Sequence, residues 1–189
     1  MDVDLHTLIR GGDILQEKHK KYIIYQICKA LYYLHNNDII HRDLKPSNIL
    51  VNEECDAKLC DFGLVRLLEE PDDHEIAIMT DYIATRWYRA PELLMGCHSY
   101  SKEIDIWSLG CMVGEIMRGK PMFQGTSTIN QLEKILFWTG PPTNSDLKNM
   151  KVNINKSILE VLHVKRKSNR NEMLPSSDPN LMDFVSRML

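Results

Sequence analysis

The segment 41–63, HRDLKPSNILVNEECDAKLCDFG, constrains the fold of this chain more than any other feature. Charged and polar residues form one cluster at 41–48 and a second at 61–63. Between them, an apolar run at 49–51 and an alternating run at 57–60 flank a polar stretch that is typical of a turn. The sequence therefore predicts a β-hairpin that places the two clusters side by side.

Three acceptor side chains, Asp43, Asn48 and Asp61, would then face one cavity. Carboxylate and carboxamide oxygens are hard ligands, and Mg²⁺ prefers a few of them together with phosphate and water. The sequence therefore predicts a magnesium site between the two clusters. The alternative is that these residues only support turns and caps, a role that Asp and Asn often fill.

The same segment resembles the catalytic loop and the D-F-G segment of eukaryotic protein kinases. It matches H-R-D-L-x-x-x-N and D-F-G at every fixed position. The resemblance implies that Asp43 orients the substrate hydroxyl and accepts its proton, and that Lys45 steadies the γ-phosphate of ATP. It also implies that Asn48 and Asp61 bind Mg²⁺.

ATP and Mg²⁺ are the ligands that the resemblance implies, with Lys45 on the phosphates. Residues 1–5, M-x-x-D-L, resemble the segment that follows the hinge of a kinase, where Asp4 would lie near the ribose. Leu50 would form part of the floor under the adenine. For His41 and Phe62 we expect packing roles.

Residues 61–92 run from D-F-G to A-P-E, the triplet that ends a kinase activation segment. Within them, the segments 80–82, TDY, and 84–92, ATRWYRAPE, resemble the T-x-Y lip and P+1 loop of mitogen-activated protein (MAP) kinases. The resemblance implies that phosphorylation of Thr80 and Tyr82 activates the enzyme, through an upstream dual-specificity kinase or by autophosphorylation. The alternative is that both are unmodified loop residues.

A phosphate on this lip would bring roughly −1.5 to −2 charges and three acceptor oxygens. Arginine forks are its best partners. Four arginines lie in or beside the segment: Arg42, Arg66, Arg86 and Arg89. By resemblance, the first two would bind the phosphate on Thr80 and the last two the phosphate on Tyr82.

The P+1 loop bears on the choice of substrate. By resemblance, Thr85 would brace Asp43 and Lys45, and the pocket around 84–86 would favour proline after the phosphoacceptor. The implied activity is proline-directed phosphorylation of protein substrates that carry Ser/Thr-Pro sites. The alternative from another class is a non-catalytic pseudokinase or interaction module, against which the intact acidic and amide residues of the two clusters argue.

Apolar residues recur at three- and four-residue steps in several segments, as expected of helices that pack on a core. The predicted helices are 5–9, 14–36, 103–118, 126–138 and one that begins at 181. Tyr22 is predicted on the inner face of the second helix. Thr128 and Gln131 are predicted to form a capping box at the start of the fourth.

The segment 103–118 is apolar nearly all the way round, so we expect it in the middle of the domain. Asp105 is the exception, and a buried charge needs partners. In kinases the matching Asp of D-x-W-S-x-G holds the backbone of the catalytic loop, so the resemblance implies a structural role for Asp105. Gly119 is expected to end this helix.

Composition restricts the class and the partners of the protein. A hydrophobic fraction of 43% and a net charge of −3 are ordinary for a globular domain and predict neither nucleic acid nor an anionic membrane as partner. Five cysteines without a C-x-x-C pair predict free thiols in a reducing compartment. No apolar run is long enough for a membrane span. We therefore expect a cytoplasmic or nuclear protein.

The resemblance covers all 189 residues and implies a protein-kinase-like α+β fold, mainly the α-helical C-terminal lobe with short β-hairpins. The polar region of about 140–180 corresponds to the MAP kinase insert. None of the nine glycines forms a G-x-G-x-x-G loop. We therefore expect the small N-terminal lobe to precede Met1, and the isolated 189-residue chain to have negligible ATP-dependent activity.

Overall fold

The computed structural model describes residues 3–12, 14–68, 86–97, 101–149, 174 and 178–189. Its helices are α1 Leu5–Arg10, α2 Glu17–Asn36, α3 Pro91–Leu94, α4 Glu103–Arg118, α5 Thr128–Thr139, α6 Asn144–Asn149 and α7 Pro179–Met188. Its strands are β1 Val3–Asp4, β2 Ile39–Ile40, β3 Ile49–Val51, β4 Ala57–Leu59 and β5 Arg66–Leu67. The predicted site residues Thr80, Tyr82 and Thr85, and most of the predicted insert, lie outside these ranges.

The predicted α+β class is confirmed, because helices dominate and the described strands form two small antiparallel sheets. One sheet has the order β1-β3-β4, and the other pairs β2 with β5. The predicted hairpin is confirmed by the pairing of Ile49 with Leu59 and of Val51 with Ala57. Its turn is closed by Asn52, whose Oδ1 accepts from the backbone N–H of Asp56 at 2.7 Å.

Helix α2 packs an apolar face against the core and begins at Glu17, later than the predicted start. The buried side chains of this face are Ile23, Ile24, Ile27, Leu31 and Leu34. The prediction that Tyr22 lies on the inner face is wrong, since its side chain is 46% exposed and its hydroxyl donates to Asp56 Oδ1 at 3.3 Å. A tyrosine hydroxyl needs a polar partner, which holds the ring at the edge of the face.

Helix α4 has the predicted bounds and is buried over most of its circumference. At Gly110 it meets the end of helix α7 closely, because a Cβ at this glycine would lie 2.9 Å from Met188. Gly119 ends the helix in the left-handed region, and its N–H donates to the carbonyl of Glu115 at 2.8 Å. Helix α4 is thus a buried and well-terminated helix, and the site described below is assembled on it.

Replacing Gly119 by alanine should lower the free energy of unfolding by about 1 kcal/mol. Its φ of 72° disfavours a side chain, and no atom within 4 Å would contact an added Cβ. The loss therefore reports backbone strain, measured by urea denaturation. The matched control is Gly119→Asn, which should lose less because asparagine tolerates this region. Equal losses would contradict the assignment.

Helix α5 begins at Thr128, but the predicted capping box is wrong. The N-cap is Ser127, whose Oγ accepts from the backbone N–H of Asn130 at 3.1 Å. Gln131 is instead fully buried, and its Oε1 accepts from the N–H of Gly125 at 2.8 Å. Serine one residue earlier supplies the side-chain oxygen and extended backbone that an N-cap requires. No helix in the described ranges is long and apolar enough to cross a bilayer.

Candidate active site

The site is built around the buried carboxylate of Asp105 on helix α4. Its Oδ2 accepts from the backbone N–H of His41 at 2.8 Å and contacts His35 Nε2 at 2.9 Å. Its Oδ1 accepts from the backbone N–H of Arg42 at 2.9 Å. Arg42 has a φ of 71°, a conformation that a non-glycine residue keeps only where its surroundings enforce it. The predicted structural role of Asp105 is therefore confirmed.

Sequence reasoning missed His35. It lies in the last turn of α2, four residues after the buried Leu31, so helical periodicity alone directs it inward. A histidine at such a position is easily taken for part of the helix end. Its contact with Asp105 links α2, α4 and the segment 41–48 at one carboxylate.

His41 joins the two clusters of the hairpin, and its predicted packing role is confirmed because its side chain is fully buried. Phe62, for which packing was also predicted, is 51% exposed and contacts His41 with its ring. The Nδ1 of His41 accepts from the backbone N–H of Asp43 at 3.3 Å, and its Nε2 donates to the carbonyl of Cys60 at 3.2 Å. Burial lowers the pKa of His41, which favours this neutral tautomer. Its ring lies 5.3 Å from that of Phe62. The imidazole thus fixes segment 61–63 against segment 41–48.

Asp43, Lys45 and Asn48 form a compact cluster beside His41. Lys45 Nζ lies 2.6 Å from Asp43 Oδ2, and Asn48 Nδ2 donates to the same oxygen at 3.2 Å and to the Asp43 carbonyl at 2.8 Å. Within the described part of the chain, these side-chain hydrogen bonds engage Oδ2 and none engages Oδ1. These donors fix the carboxylate of Asp43 and leave its Oδ1 available to accept a hydrogen bond from a ligand.

Asn48 and Asp61 are brought together by the hairpin. The backbone N–H of Cys60 donates to the carbonyl of Asn48 at 2.9 Å, so Asp61 follows the point where the strands meet. Asp61 is exposed and has a left-handed φ of 63°. Since Asn48 Nδ2 is engaged by Asp43, its remaining polar atom is the carboxamide oxygen, an acceptor.

This donor set fits Mg²⁺, which binds proteins through one or two oxygens while keeping water and phosphate ligands. The described residues contain no group of three or more His, Cys, Asp or Glu side chains that could hold a metal alone. A cation at Asn48 and Asp61 would therefore depend on a phosphate ligand for the rest of its shell.

Asp4 and Leu50 lie opposite each other across strands β1 and β3. The carboxylate of Asp4 caps helix α1, accepting from the backbone N–H of Thr7 at 2.9 Å and from its hydroxyl at 3.0 Å. Partial burial acts to raise the pKa of Asp4, but these hydrogen bonds outweigh it and lower the pKa below its usual value. Asp4 thus lies on the edge strand of this sheet and Leu50 on its central strand, next to the segment that carries Asn48.

The four predicted phosphate-binding arginines fall into different surroundings. Arg42 and Arg89 line one small cavity together with Asp43. Arg66 is exposed on β5. Arg86 is 6% exposed, and its Nη1 donates to the carbonyl of Thr126 at 3.5 Å. The structure therefore brings Arg42 and Arg89 together beside the cluster, whereas the guanidinium of Arg86 faces the loop before α5.

Segment 86–90 is anchored to that loop and to helix α5. Trp87 Nε1 donates to the carbonyl of Gly125 at 3.1 Å, and Gln131 Nε2 donates to the carbonyl of Trp87 at 3.4 Å. Sequence reasoning missed this role of Gln131. The sequence did contain a signal for this role, because Gln131 lies beside Leu132 on the inner face of α5. Burying an amide there without a hydrogen bond would cost free energy.

Tyr88 is held by helix α4 through both its backbone carbonyl and its side-chain hydroxyl. Its carbonyl accepts from Ser108 Oγ at 2.7 Å, and its hydroxyl donates to Glu115 Oε2 at 2.7 Å. Burial raises the pKa of Tyr88, and burial also raises the pKa of Glu115 to about 7. The pair is therefore sensitive to the protonation of Glu115 near neutral pH.

The stability of the chain should fall as the pH rises between about pH 5 and about pH 8 through Glu115. Its folded-state pKa of about 7 exceeds the ordinary 4.5, so the native state binds the extra proton and loses this advantage above neutrality. The corresponding change is about 3 kcal/mol. Glu115→Gln, which still accepts from Tyr88, should remove that part of the pH dependence in urea denaturation. An unchanged slope in the variant would exclude Glu115 as its source.

The chain matches the protein kinase domain over residues 1–189. Mitogen-activated protein kinase 15 of Xenopus laevis is 44% identical to it over 191 residues, and extracellular signal-regulated kinase 2 of Dictyostelium discoideum is 44% identical over 191 residues. Mitogen-activated protein kinase MKC1 of Candida albicans is 42% identical over 189 residues. Each comparison covers the whole chain, which spans 33%, 52% and 38% of these relatives, respectively.

Proposed function

Because the chain belongs to the protein kinase domain family, we propose that it supplies the large lobe of a proline-directed serine/threonine kinase of the MAP kinase type. The observation that carries the proposal is the cluster of Asp43, Lys45 and Asn48. Asp105 holds the two residues before it, His41 and Arg42, by their backbone N–H groups. The names of the chain's relatives support the same type. In this assignment, residues 41–63 are the catalytic loop and D-F-G segment, 61–92 the activation segment and about 140–180 the insert.

The proposed reaction moves the γ-phosphoryl group of ATP to a serine or threonine hydroxyl. The hydroxyl oxygen forms a bond to the γ-phosphorus, the bond from that phosphorus to ADP breaks, and the hydroxyl proton passes to Asp43. Lys45 lies beside Asp43 Oδ2 and would place its ammonium charge near the transferred phosphoryl group. Positioning and charge neutralisation are what phosphoryl transfer needs most from a protein.

Asn48 and Asp61 would hold Mg²⁺, and Asp4 and Leu50 would contact the nucleotide at the adjacent edge. When bound, Mg²⁺ neutralises charge on the phosphate oxygens. The commitment of Asn48 Nδ2 to Asp43 supports this role, because it fixes the amide so that only its oxygen remains for the metal. Thr85 would brace Asp43 and Lys45.

Phosphorylation of Thr80 and Tyr82 would switch the enzyme on. The proximity of Arg42 and Arg89 to Asp43 supports a link between a phosphate on the lip and the catalytic cluster. Arg66 and Arg86 complete the proposed phosphate-binding set. An upstream dual-specificity kinase or autophosphorylation would add the phosphates, and the protein would act in the cytoplasm or nucleus.

The gene product that contains these residues, purified from its natural source, should phosphorylate a Ser-Pro peptide from ATP. The matched peptide with Ser-Ala should react at least tenfold more slowly, an expectation of about 1.4 kcal/mol in the transition state. Incorporation of labelled phosphate measures both rates. Equal rates would contradict proline direction but leave the kinase assignment intact, whereas no transfer to either peptide would contradict the assignment.

The second candidate is a non-catalytic interaction module. The 189 residues contain no G-x-G-x-x-G sequence to cover the phosphates of a nucleotide. A polypeptide of these residues alone should therefore transfer phosphate negligibly. Robust transfer by the isolated segment, abolished by Asp43→Ala, would overturn this expectation.

A further inference from the structure

A basic groove lies between the end of helix α4 and helix α5, and none of its residues belongs to the catalytic cluster. The groove has a volume of about 540 Å³, within the range of pockets that bind ligands. Three cations line it, Arg118, Lys120 and Lys134, against one carboxylate, Glu133. The lining is therefore positive, although the chain as a whole carries a net charge of −3.

Arg118 is the under-satisfied member of this lining. Its Nε is buried and has no hydrogen-bond partner in the described part of the chain. Its Nη1 lies 3.7 Å from Met122 Sδ, and thioether sulfur is only a weak acceptor. Burial lowers the pKa of Arg118, and the charge of Glu115 acts against that shift. A guanidinium in this position favours a carboxylate that can accept from two of its nitrogens.

The remaining acid does not neutralise the groove. Glu133 Oε2 accepts from Asn130 Nδ2 at 3.0 Å, so its carboxylate is already engaged on helix α5. Lys120 and Lys134 are both exposed. The site can therefore attract an anion from solution, with two exposed ammonium groups beside one half-buried guanidinium.

Apolar side chains line the same groove. Met122 and Phe123 are buried beneath it, and Phe137 is 37% exposed on the last turn of α5. An anion alone would leave the exposed part of Phe137 in contact with water, whereas an anion joined to an apolar group would cover it. The groove thus favours a ligand that carries both a negative charge and an apolar group.

The length of the groove favours a peptide over a compact ion. Its α5 wall extends from Asn130 to Phe137, two turns of helix, or about 10 Å. Three residues of an extended peptide span about the same distance. We infer that the basic groove binds a short acidic segment of a protein partner, with a carboxylate at Arg118 and an apolar side chain against Met122 and Phe137.

The test uses a fluorescein-labelled peptide with the sequence Glu-Phe-Glu and the 189-residue chain, with binding measured by fluorescence polarisation. The peptide should bind, and its Gln-Phe-Gln and Glu-Gly-Glu counterparts should bind at least about tenfold more weakly. Naphthoate, a compact apolar anion, should compete only weakly. Absence of binding up to about 1 mM peptide would overturn the inference. Naphthoate binding as tightly as the peptide would overturn the choice of a peptide.

Variants test the location. Lys120→Ser with Lys134→Ser should weaken binding about tenfold, because two exposed charges are lost without disturbing the core. Arg118→Gln should weaken it at least as much. Glu133→Gln should strengthen it about threefold, and Lys58→Ser, an exposed lysine on β4, should leave it unchanged. If substitutions of Arg118, Lys120 and Lys134 all leave the affinity for the peptide unchanged, the proposed location is wrong, whatever the outcome of the kinase assays.

Discussion

Replacing Asp43 by asparagine should lower phosphoryl transfer by about 10²–10⁴-fold, the range typical of a lost general base. Asparagine has nearly the same shape and can still accept from Lys45 through its amide oxygen, but it cannot take the proton of the substrate hydroxyl. The contacts of Asp43 with Lys45 and Asn48 all involve Oδ2 or the backbone. We therefore expect the rate to fall while the fold survives.

The measurement is labelled-phosphate incorporation into a Ser-Pro peptide by the gene product that carries these residues. Thermal unfolding of the same samples separates lost chemistry from lost structure. Glu54→Gln is the matched control, since it removes one carboxylate from the exposed turn of the same hairpin. A variant at Asp43 that keeps more than about a tenth of the wild-type rate would exclude this residue as the base.

Replacing Asp105 by asparagine should lower the free energy of unfolding by about 3–5 kcal/mol, the cost of breaking a buried charged interaction. The carboxylate accepts from the backbone of His41 and Arg42 and contacts His35 Nε2. An amide would direct its own N–H groups at one or more of these partners. The buried N–H left without an acceptor then contributes about 1–3 kcal/mol by itself.

Urea denaturation of the 189-residue chain measures this loss. The control is Asp183→Asn, which breaks an exposed pair with Arg187 on α7 and should cost less than about 1 kcal/mol. If the Asp105 variant does not fold, His35→Asn provides a milder test, because it removes one of the three contacts and should give an intermediate loss. Equal stabilities for the Asp105 and Asp183 variants would contradict the central role of Asp105.

The hairpin and helix α4 could be predicted because their signals are local. Alternation in the strands and an all-round apolar helix each specify a structure within a few residues. Asp105 could be predicted to need partners for the same reason, since one charge in an apolar helix is visible in the sequence. Which partners it has came from family resemblance.

His35, Gln131 and Tyr22 show where sequence reasoning fails. Each contacts a residue far along the chain: His35 reaches Asp105, Gln131 reaches Trp87, and Tyr22 reaches Asp56. Helical periodicity gives the face on which a polar side chain lies, but the partner depends on how distant segments pack. For that reason Tyr22 is exposed against prediction and Gln131 is buried as an anchor and not a cap.

The link from Asp105 to the catalytic loop also bears on how the chain folds. The two backbone N–H groups that it accepts from lie 64 and 63 residues earlier in the chain. We therefore expect Arg42 to adopt its left-handed conformation only after helix α4 has docked. Segment 41–48 should then not fold on its own. Amide protons of His41 and Arg42 should exchange with solvent only through global opening, at the rate of the core helices. The arrangement of segment 41–48 is then a cooperative property, formed together with the helical core and lost when helix α4 detaches.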